Sequence, residues 1–525
     1  MRGRGERRAG TLGGMDVRDF IEAHADEFVA DLTEWLAIPS VSADPAHHGD
    51  VRRSAEWLVS HLKKTGFPVA EVWETKGLPA VYAHWPSAAG DAPHVLVYGH
   101  HDVQPAAVED GWDTDPFTPV IVDNSKNGVG AAGGVGAAGG VEGAGGVGAA
   151  GEGDNSKSEG GEGGEGGEGG EGGGGGVTIR GRGASDDKGQ VLFHAFGVRA
   201  LLAASGASAP PVSLTLLIEG EEESGSPTFA DLLEERKQQL RPDVIVISDT
   251  TMWAADVPSI CTGMRGLVDA EITFAGPSRD LHSGSFGGGV PNPLHAMADL
   301  LSRLHDENRA VALPGFYEDV VPLGDAEREL LAKLPFDEKT WLADAGDSGA
   351  TYGEAGHSTL ERIWARPTAE VNGVWGGHTG PGGKTIVPSQ AHAKLSFRLV
   401  ANQEPASVLD SLEEFVTANT PEGITATVRR GHGVRPCRSP IDSPYVAAAR
   451  RAMERAFGRE VLFTKEGGSG PEADLADILG APLVFMAVGL DADRIHAPNE
   501  YVDLSRLLKG AESAAYLWEE LADLA

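Results

Sequence analysis

Four short apolar runs, each followed by histidine or carboxylate, constrain this chain more than any other feature. The first, Val95-Leu96-Val97-Tyr98, leads into Gly99-His100-His101-Asp102. The second, Val212 to Ile218, leads into Glu219-Gly220-Glu221-Glu222-Glu223-Ser224-Gly225-Ser226. The third, Val244 to Ser248, meets Asp249, and the fourth, Pro482 to Gly489, is followed by His496-Ala497-Pro498-Asn499-Glu500. Short β-branched runs without alternation predict strands buried on both faces, as in a parallel sheet. Open α/β sheets carry their sites at the carboxyl ends of such strands. Residues i and i+2 of an extended chain share a face, so His100 and Asp102 leave their strand side by side, as a metal ligand and its orienting carboxylate would. The loop Gly181-Arg182-Gly183-Ala184-Ser185-Asp186-Asp187-Lys188-Gly189 adds two more carboxylates. Together these residues make a nitrogen- and oxygen-rich set suited to two divalent metal ions.

The expected fold class is α/β: a mostly parallel sheet flanked by helices, with an inserted α+β domain. Apolar residues at helical spacing predict a first helix over 16–37, ended by Pro39. Further helices are expected over 51–65, Lys188–Ala204, Phe229–Leu240, Tyr445–Phe457 and about 504–521, with strands near 79–84 and 94–98. Between 263 and 440 the pattern changes to alternation, as in Val268-Asp269-Ala270-Glu271-Ile272-Thr273-Phe274 and Ala393-Lys394-Leu395-Ser396-Phe397-Arg398-Leu399. Alternation marks strands with one wet face. The chain therefore divides into a tail over 1–15, a catalytic domain in two parts (16–262 and 441–525) and an inserted domain over 263–440. Residues 124–176 are mostly glycine, alanine and glutamate. They hold almost no large apolar side chain to offset the entropy of ordering, so a disordered insert is expected there, inside a hairpin between PFTPVIVDN and VTIRGRG.

Composition excludes several function classes. A formal net charge of −35 over 525 residues repels nucleic acid and anionic membrane, so neither is an expected partner. No apolar stretch is long enough to span a bilayer, and the basic start MRGRGERRAG lacks the apolar segment of a secretory signal. Two cysteines, Cys261 and Cys437, rule out a disulfide framework. They fit small buried hydrophobes in a reducing, cytoplasmic compartment.

The motifs GHHDVQP, GRGASDDKG, EGEEESGS, VISD and IHAPNE, in this order from Gly99 to Glu500, resemble those of the dinuclear zinc peptidases. That family includes carnosinases, cytosolic non-specific dipeptidases, glutamate carboxypeptidase, acetylornithine deacetylase and succinyl-diaminopimelate desuccinylase. The forms GHxDVQP, EGxEESGS and DLHSG resemble the dipeptidase branch. The resemblance implies a discontinuous catalytic domain and an inserted lid or dimerisation domain. It implies that His100 and Asp249 hold one metal, Glu223 and His496 the other, and that Asp186 bridges them. The ions would be zinc above all, with manganese or cobalt as substitutes. It implies Glu222 as the general base acting on a metal-activated water, with Asp102 orienting His100. Substrate contacts would come from Arg398, Thr385, Gly468 and Ser469, Arg398 taking the substrate carboxylate. His282, in Asp280-Leu281-His282-Ser283-Gly284, would reach into the neighbouring subunit of a homodimer and steady the oxyanion. His101, Asp187, Glu221, His378 and His392 match no such role and are read as structural.

The expected activity is hydrolysis of dipeptides or short peptides. Removal of an acyl group from an amino acid is the alternative within the family. A catalytically silent metal-binding scaffold is the alternative outside it.

Overall fold

The computed structural model describes residues 15–124, 176–346 and 348–524. The insert expected over 124–176 and the tail over 1–15 lie almost wholly outside the described residues. The hairpin that flanks the insert is present. Strand Val120–Asp123 pairs antiparallel with Val177–Arg180, and Asn124 N donates to Gly176 O across its open end at 3.1 Å.

The central sheet has six strands in the order Val69–Trp73, Ala80–Trp85, Ser213–Glu219, His94–His100, Val244–Ile247 and Leu483–Phe485. The last four run parallel, and the first two join as an antiparallel edge. The unalternating runs are explained by burial on both faces. Val95 and Val97 pack into a core with helices Lys188–Ser205, Pro444–Phe457 and Leu504–Ala522, while Leu96 and Tyr98 pack into a second core with helix Phe229–Leu240. At the edge near the site, two three-stranded sheets brace the structure: Tyr501–Asp503 with the 120–123/177–180 hairpin, and Ser259–Met264 with Cys437–Arg438 and Leu462–Glu466.

The alternating segments form a separate antiparallel sheet in the order Thr368–Gly376, Gln390–Leu399, Gly266–Ala275 and Thr425–Val434. Its inward residues (Val268, Ala270, Ile272, Phe274, Ala393, Leu395, Phe397) pack on helices Pro293–Ser302 and Pro405–Asn419 in a core of their own. Every second residue of Gly266–Ala275 is buried, which is the period of two that the sequence carries.

Three elements differ from expectation. The first helix is two, Val17–Ala23 and Ala25–Leu36, broken at His24, whose φ of −116° leaves the helical region. The His24 ring stacks on Phe20 and its Nδ1 bonds the Phe20 carbonyl at 2.8 Å, beside the backbone N–H of His24, which donates to the same carbonyl at 3.1 Å. The last core strand covers only Leu483–Phe485, because Val488 and Gly489 turn their N–H groups to the Gln190 side chain. Strand Val69–Trp73, half exposed at the sheet edge, has too little apolar pattern to announce itself.

Candidate metal centre and active site

Four parallel strands deliver the site at their carboxyl ends, and each loop is held by buried bonds. His100 ends its strand with no exposed surface. Its N–H donates to Asp187 Oδ2 at 3.2 Å. Gly99 makes this approach possible, since a Cβ there would stand 2.5 Å from the same oxygen. Asp249 lies two residues past Val244–Ile247. The next segment is tied down by Thr251, whose N–H and hydroxyl donate to Glu466 Oε1 at 2.6 and 3.0 Å. Glu222 and Glu223 sit in a single 3-10 turn after Ser213–Glu219. His496 belongs to the loop after the last strand and adopts a left-handed φ of 62°.

Asp186 stands between the two histidines. His100 Nε2 faces its Oδ1 at 2.9 Å and His496 Nε2 faces its Oδ2 at 3.0 Å. Asp249 Oδ2 is 3.4 Å from His100 Nε2, and Glu223 Oε2 is 3.2 Å from His496 Nε2. The result is two groups, His100–Asp186–Asp249 and Asp186–Glu223–His496, that share Asp186, and within each the possible ligand atoms lie within 4.8 Å of one another. These are the five residues expected to hold metal. The donor set fits divalent cations on electrostatic grounds. Hydrogen bonds and charge from Asp186 and Glu223 push His496 up to about 10. Burial opposes a charge on His100, yet Asp249, Asp102 and Asp186 outweigh it and raise it well above the ordinary histidine value. Both imidazoles thus hold protons that carboxylates demand, and a cation would take their place.

Two residues without a sequence-assigned role position this cluster. Glu500 is fully buried and accepts from Arg182 Nη1 (2.8 Å), Gly183 N (2.9 Å), Ser185 N (2.8 Å) and Asp186 N (3.1 Å), so one carboxylate fixes the whole loop that presents Asp186. Gln104 donates twice to Glu223, from its backbone at 3.1 Å and its amide at 2.7 Å. Both fall inside motifs quoted above, and only the fold reveals their partners.

Asp102 does more than its expected task. Its Oδ1 is 3.5 Å from His100 Nδ1, while the closer neighbour of that nitrogen, at 3.1 Å, is the carbonyl of Asp102 itself. Its carboxylate accepts from the backbone N–H groups of Glu222 at 3.2 Å and Glu223 at 3.0 Å. One side chain therefore orients the His100 ring and anchors the turn that carries the two glutamates. Burial, reinforced by the charges of Asp249, Glu223 and Asp186 against the opposing His100, pushes the Glu222 carboxyl well above the ordinary glutamate value. That direction suits a group that must accept and release a proton.

The expected substrate contacts fall in two places. Arg398 Nη1 donates to Gly467 O at 3.0 Å, and Ser469 lines a cleft of about 350 Å³ that also touches Glu222, Phe229 and His432. Gly468 lies between these two points on the same loop. Thr385 and His282 are in a short antiparallel ribbon of the segment between 263 and 440. His282 pairs with Ile386, Ser283 N donates to Thr385 O at 3.0 Å, and both His282 and Thr385 are exposed. The His282 ring accepts at Nδ1 from Gly284 N at 3.0 Å. His101 is buried with Nε2 at 3.0 Å from the Pro79 carbonyl. Cys261 and Cys437 are both buried and free, and no helix among the described residues is long and apolar enough to cross a membrane.

Comparison with known proteins gives a concordant picture. Residues 170–520 match the family model described as Peptidase family M20/M25/M40. The Cys-Gly metallodipeptidase dug1 of Schizosaccharomyces pombe is 29% identical over 96% of this chain and 98% of its own length. The Beta-Ala-His dipeptidase of Homo sapiens is 27% identical over 97% of this chain and 92% of its own length. Among solved structures, the M20 family metallo-carboxypeptidase Sso-CP2 of Sulfolobus solfataricus superposes with a TM-score of 0.72 at 27% identity, covering 95% of this chain and 100% of that one.

Proposed function

We propose that this chain, which belongs to peptidase family M20/M25/M40, hydrolyses the peptide bond of dipeptides or short peptides that carry a free C-terminal carboxylate. It is a metal-dependent hydrolase, and two of its relatives are named a Cys-Gly metallodipeptidase and a Beta-Ala-His dipeptidase. The observation that carries the mechanistic reading is Asp186, shared between two ligand groups whose other members are two histidines, an aspartate and a glutamate.

His100 and Asp249 would hold one divalent ion, Glu223 and His496 a second, and Asp186 both. The mixed nitrogen and oxygen donors suit zinc, and manganese or cobalt would be accepted by the same set. When bound, two such ions supply Lewis acidity that acidifies a water molecule and polarises the scissile carbonyl. Glu222, beside the cluster on the cleft wall, takes the proton of the attacking water and hands it to the departing amine. Asp102 keeps Glu222 at its station through the backbone rather than through the side chain. Arg398 pairs with the C-terminal carboxylate of the substrate, and Gly468 and Ser469 line the approach. Thr385 and His282 are exposed on the lid, where they would serve the site of a second subunit in a homodimer. In that arrangement His282 would steady the oxyanion of the neighbour's substrate. Two buried free cysteines fit a cytoplasmic setting.

Metal analysis joined to a dipeptide panel tests the proposal. Two tightly bound ions per chain and cleavage of unmodified dipeptides are expected. Replacement of Glu222 by alanine should lower the rate at least about a hundredfold, the scale of a lost general base, with both ions retained. Wild-type turnover by that variant would remove Glu222 from the mechanism.

A further inference from the structure

A second guanidinium stands beside Arg398 and, among the described residues, has no carboxylate to pair with. Arg265 lies where the chain passes from strand Ser259–Met264 to strand Gly266–Ala275. Its backbone N–H donates to Glu466 O at 3.1 Å, which fixes it against the segment that continues to Ser469. Its Nη2 lies 3.2 Å from where a Cβ on Gly467 would stand, and Arg398 Nη1 bonds the carbonyl of that same Gly467 at 3.0 Å. Two like charges therefore converge on one residue, and a side chain at 467 would crowd the first of them.

Among the described residues, no carboxylate lies within ion-pair distance of either guanidinium. Glu370, the one acid whose charge reaches Arg265, is exposed and stands beyond that distance. Arg265 Nε is buried without a hydrogen-bond partner. Burial first, and then the charge of Arg398, bring the Arg265 pKa down to about 10, and burial also lowers Arg398. The neighbouring cations add to the imbalance, since Arg438 and Lys465 share one acid, Glu327, at 3.3 and 3.6 Å. An unpaired, half-buried cation is costly, and a like-charged neighbour raises the cost. In a chain of net charge −35 acids are abundant, so a pair left unpaired against Gly467, on the loop whose Ser469 lines the cleft, awaits an anion from outside.

A single carboxylate would match only one of the two. We propose that Arg265 and Arg398 form a subsite for two carboxylates, and that the preferred substrates are dipeptides whose C-terminal residue is aspartate or glutamate. Arg398 takes the α-carboxylate and Arg265 the side-chain carboxylate, each as a planar fork able to bond both oxygens. The assignment rests on the dipeptidase reading given above.

Calorimetry on the metal-loaded Glu222→Gln protein, which binds without turnover, tests it with Gly-Glu and Gly-Asp against their amides Gly-Gln and Gly-Asn. The acidic dipeptides should bind about 10–100-fold tighter, the scale of one added charge-assisted pair. Arg265→Gln in that background should abolish the difference while leaving Gly-Gln binding within about threefold, and Arg265→Lys should restore part of it. Equal binding of acids and amides overturns the subsite even before Arg265 is touched, so a misfolded variant does not shield it. An equal loss for acids and amides in Arg265→Gln overturns it too, because Arg265 would then support the α-carboxylate or the fold. Turnover by the unsubstituted enzyme separates the two levels: brisk cleavage of Gly-Gln without preference for Gly-Glu sinks the subsite alone, and no cleavage of any dipeptide sinks the underlying reading with it.

Discussion

Replacing Asp102 by asparagine should damage the enzyme in a way that added metal does not repair. The carboxylate is fully buried and serves three groups: the His100 ring at 3.5 Å and the N–H groups of Glu222 and Glu223 at 3.2 and 3.0 Å. Asparagine keeps the shape but turns one oxygen into a donor. Only one of the two backbone N–H groups then finds an acceptor, and that acceptor is neutral. Losing the charge on one bond costs about 1–2 kcal/mol and leaving the other N–H buried and unmatched about 1–3 kcal/mol, so the turn is loosened by about 2–5 kcal/mol. Expressed as misplacement of Glu222, this is a loss of roughly 30-fold or more in kcat/KM. The weaker orientation of His100 should lower metal affinity about 10–100-fold in addition. Steady-state kinetics across a metal titration separate the two effects. Full recovery of kcat/KM at saturating metal would mean that Asp102 acts only through His100, and the account of the turn would be wrong.

Subunit exchange tests the role of His282. Mixing inactive His282→Ala and Glu222→Ala proteins should restore about a quarter of wild-type activity at random pairing, because one site of each mixed dimer is whole; confirmed exchange with no activity would place His282 in its own subunit's site or in none. Deleting residues 126–175 should leave dipeptide cleavage within about twofold and the melting temperature nearly unchanged, since the hairpin already closes between Asn124 and Gly176; a large fall in either would show that the insert carries structure or function. Acid stability should depend on His194, which is buried with its Nε2 on Ser248 Oγ and is pushed by burial from 6.5 down to about 3. The unfolded chain then binds a proton that the folded one refuses, so the stability contributed by neutral His194 is intact above pH 6.5 and drains as pH falls toward 3, at about 1.4 kcal/mol per unit; a His194→Gln protein whose melting temperature falls as steeply over that window as the wild type's would refute this.

The chemistry of the site was legible because it sits at strand ends. A buried parallel strand must be apolar throughout, so the first His, Asp or Glu after it stands out against its own background. His100 and Asp249 stand out in this way, whereas Glu222 and Glu223 are singled out of the acidic run after Ile218 only by the resemblance to the zinc peptidases; the structure brings His100, Glu223 and Asp249 together with Asp186 and His496 as two ligand groups. Glu500 and Gln104 were invisible for the opposite reason. Each sits in a loop where polar residues are ordinary, and its partners, Arg182 to Asp186 and Glu223, are remote in sequence. The break at His24 was hidden because the apolar stripe of Phe20, Ile21, Phe28 and Leu32 stays in register across it.

The same reasoning explains why Arg265 escaped notice while Arg398 did not. Arg398 stands on the alternating strand Gln390–Leu399, between the buried Phe397 and Leu399, and belongs to a stretch whose likeness to a known family suggested a role. Arg265 occupies the single-residue joint between two strands, Ser259–Met264 and Gly266–Ala275, where a charge looks like a turn residue. Its meaning depends on what is missing around it, an anion within reach, and a missing partner leaves no trace in a sequence. Charge balance inside a fold is a property of neighbours, and the neighbours of Arg265 (Gly467, Arg398 and the carbonyl of Glu466) arrive from segments more than a hundred residues away. The metal ligands follow the other logic: three carboxylates, Asp186, Glu223 and Asp249, converge on two imidazoles, His100 and His496. An acidic cluster with more carboxylates than imidazoles and a basic pair of adjacent guanidiniums pose the same problem with opposite sign. A dipeptide ending in an acidic residue would answer the second beside Gly467 while its scissile carbonyl is carried toward the first.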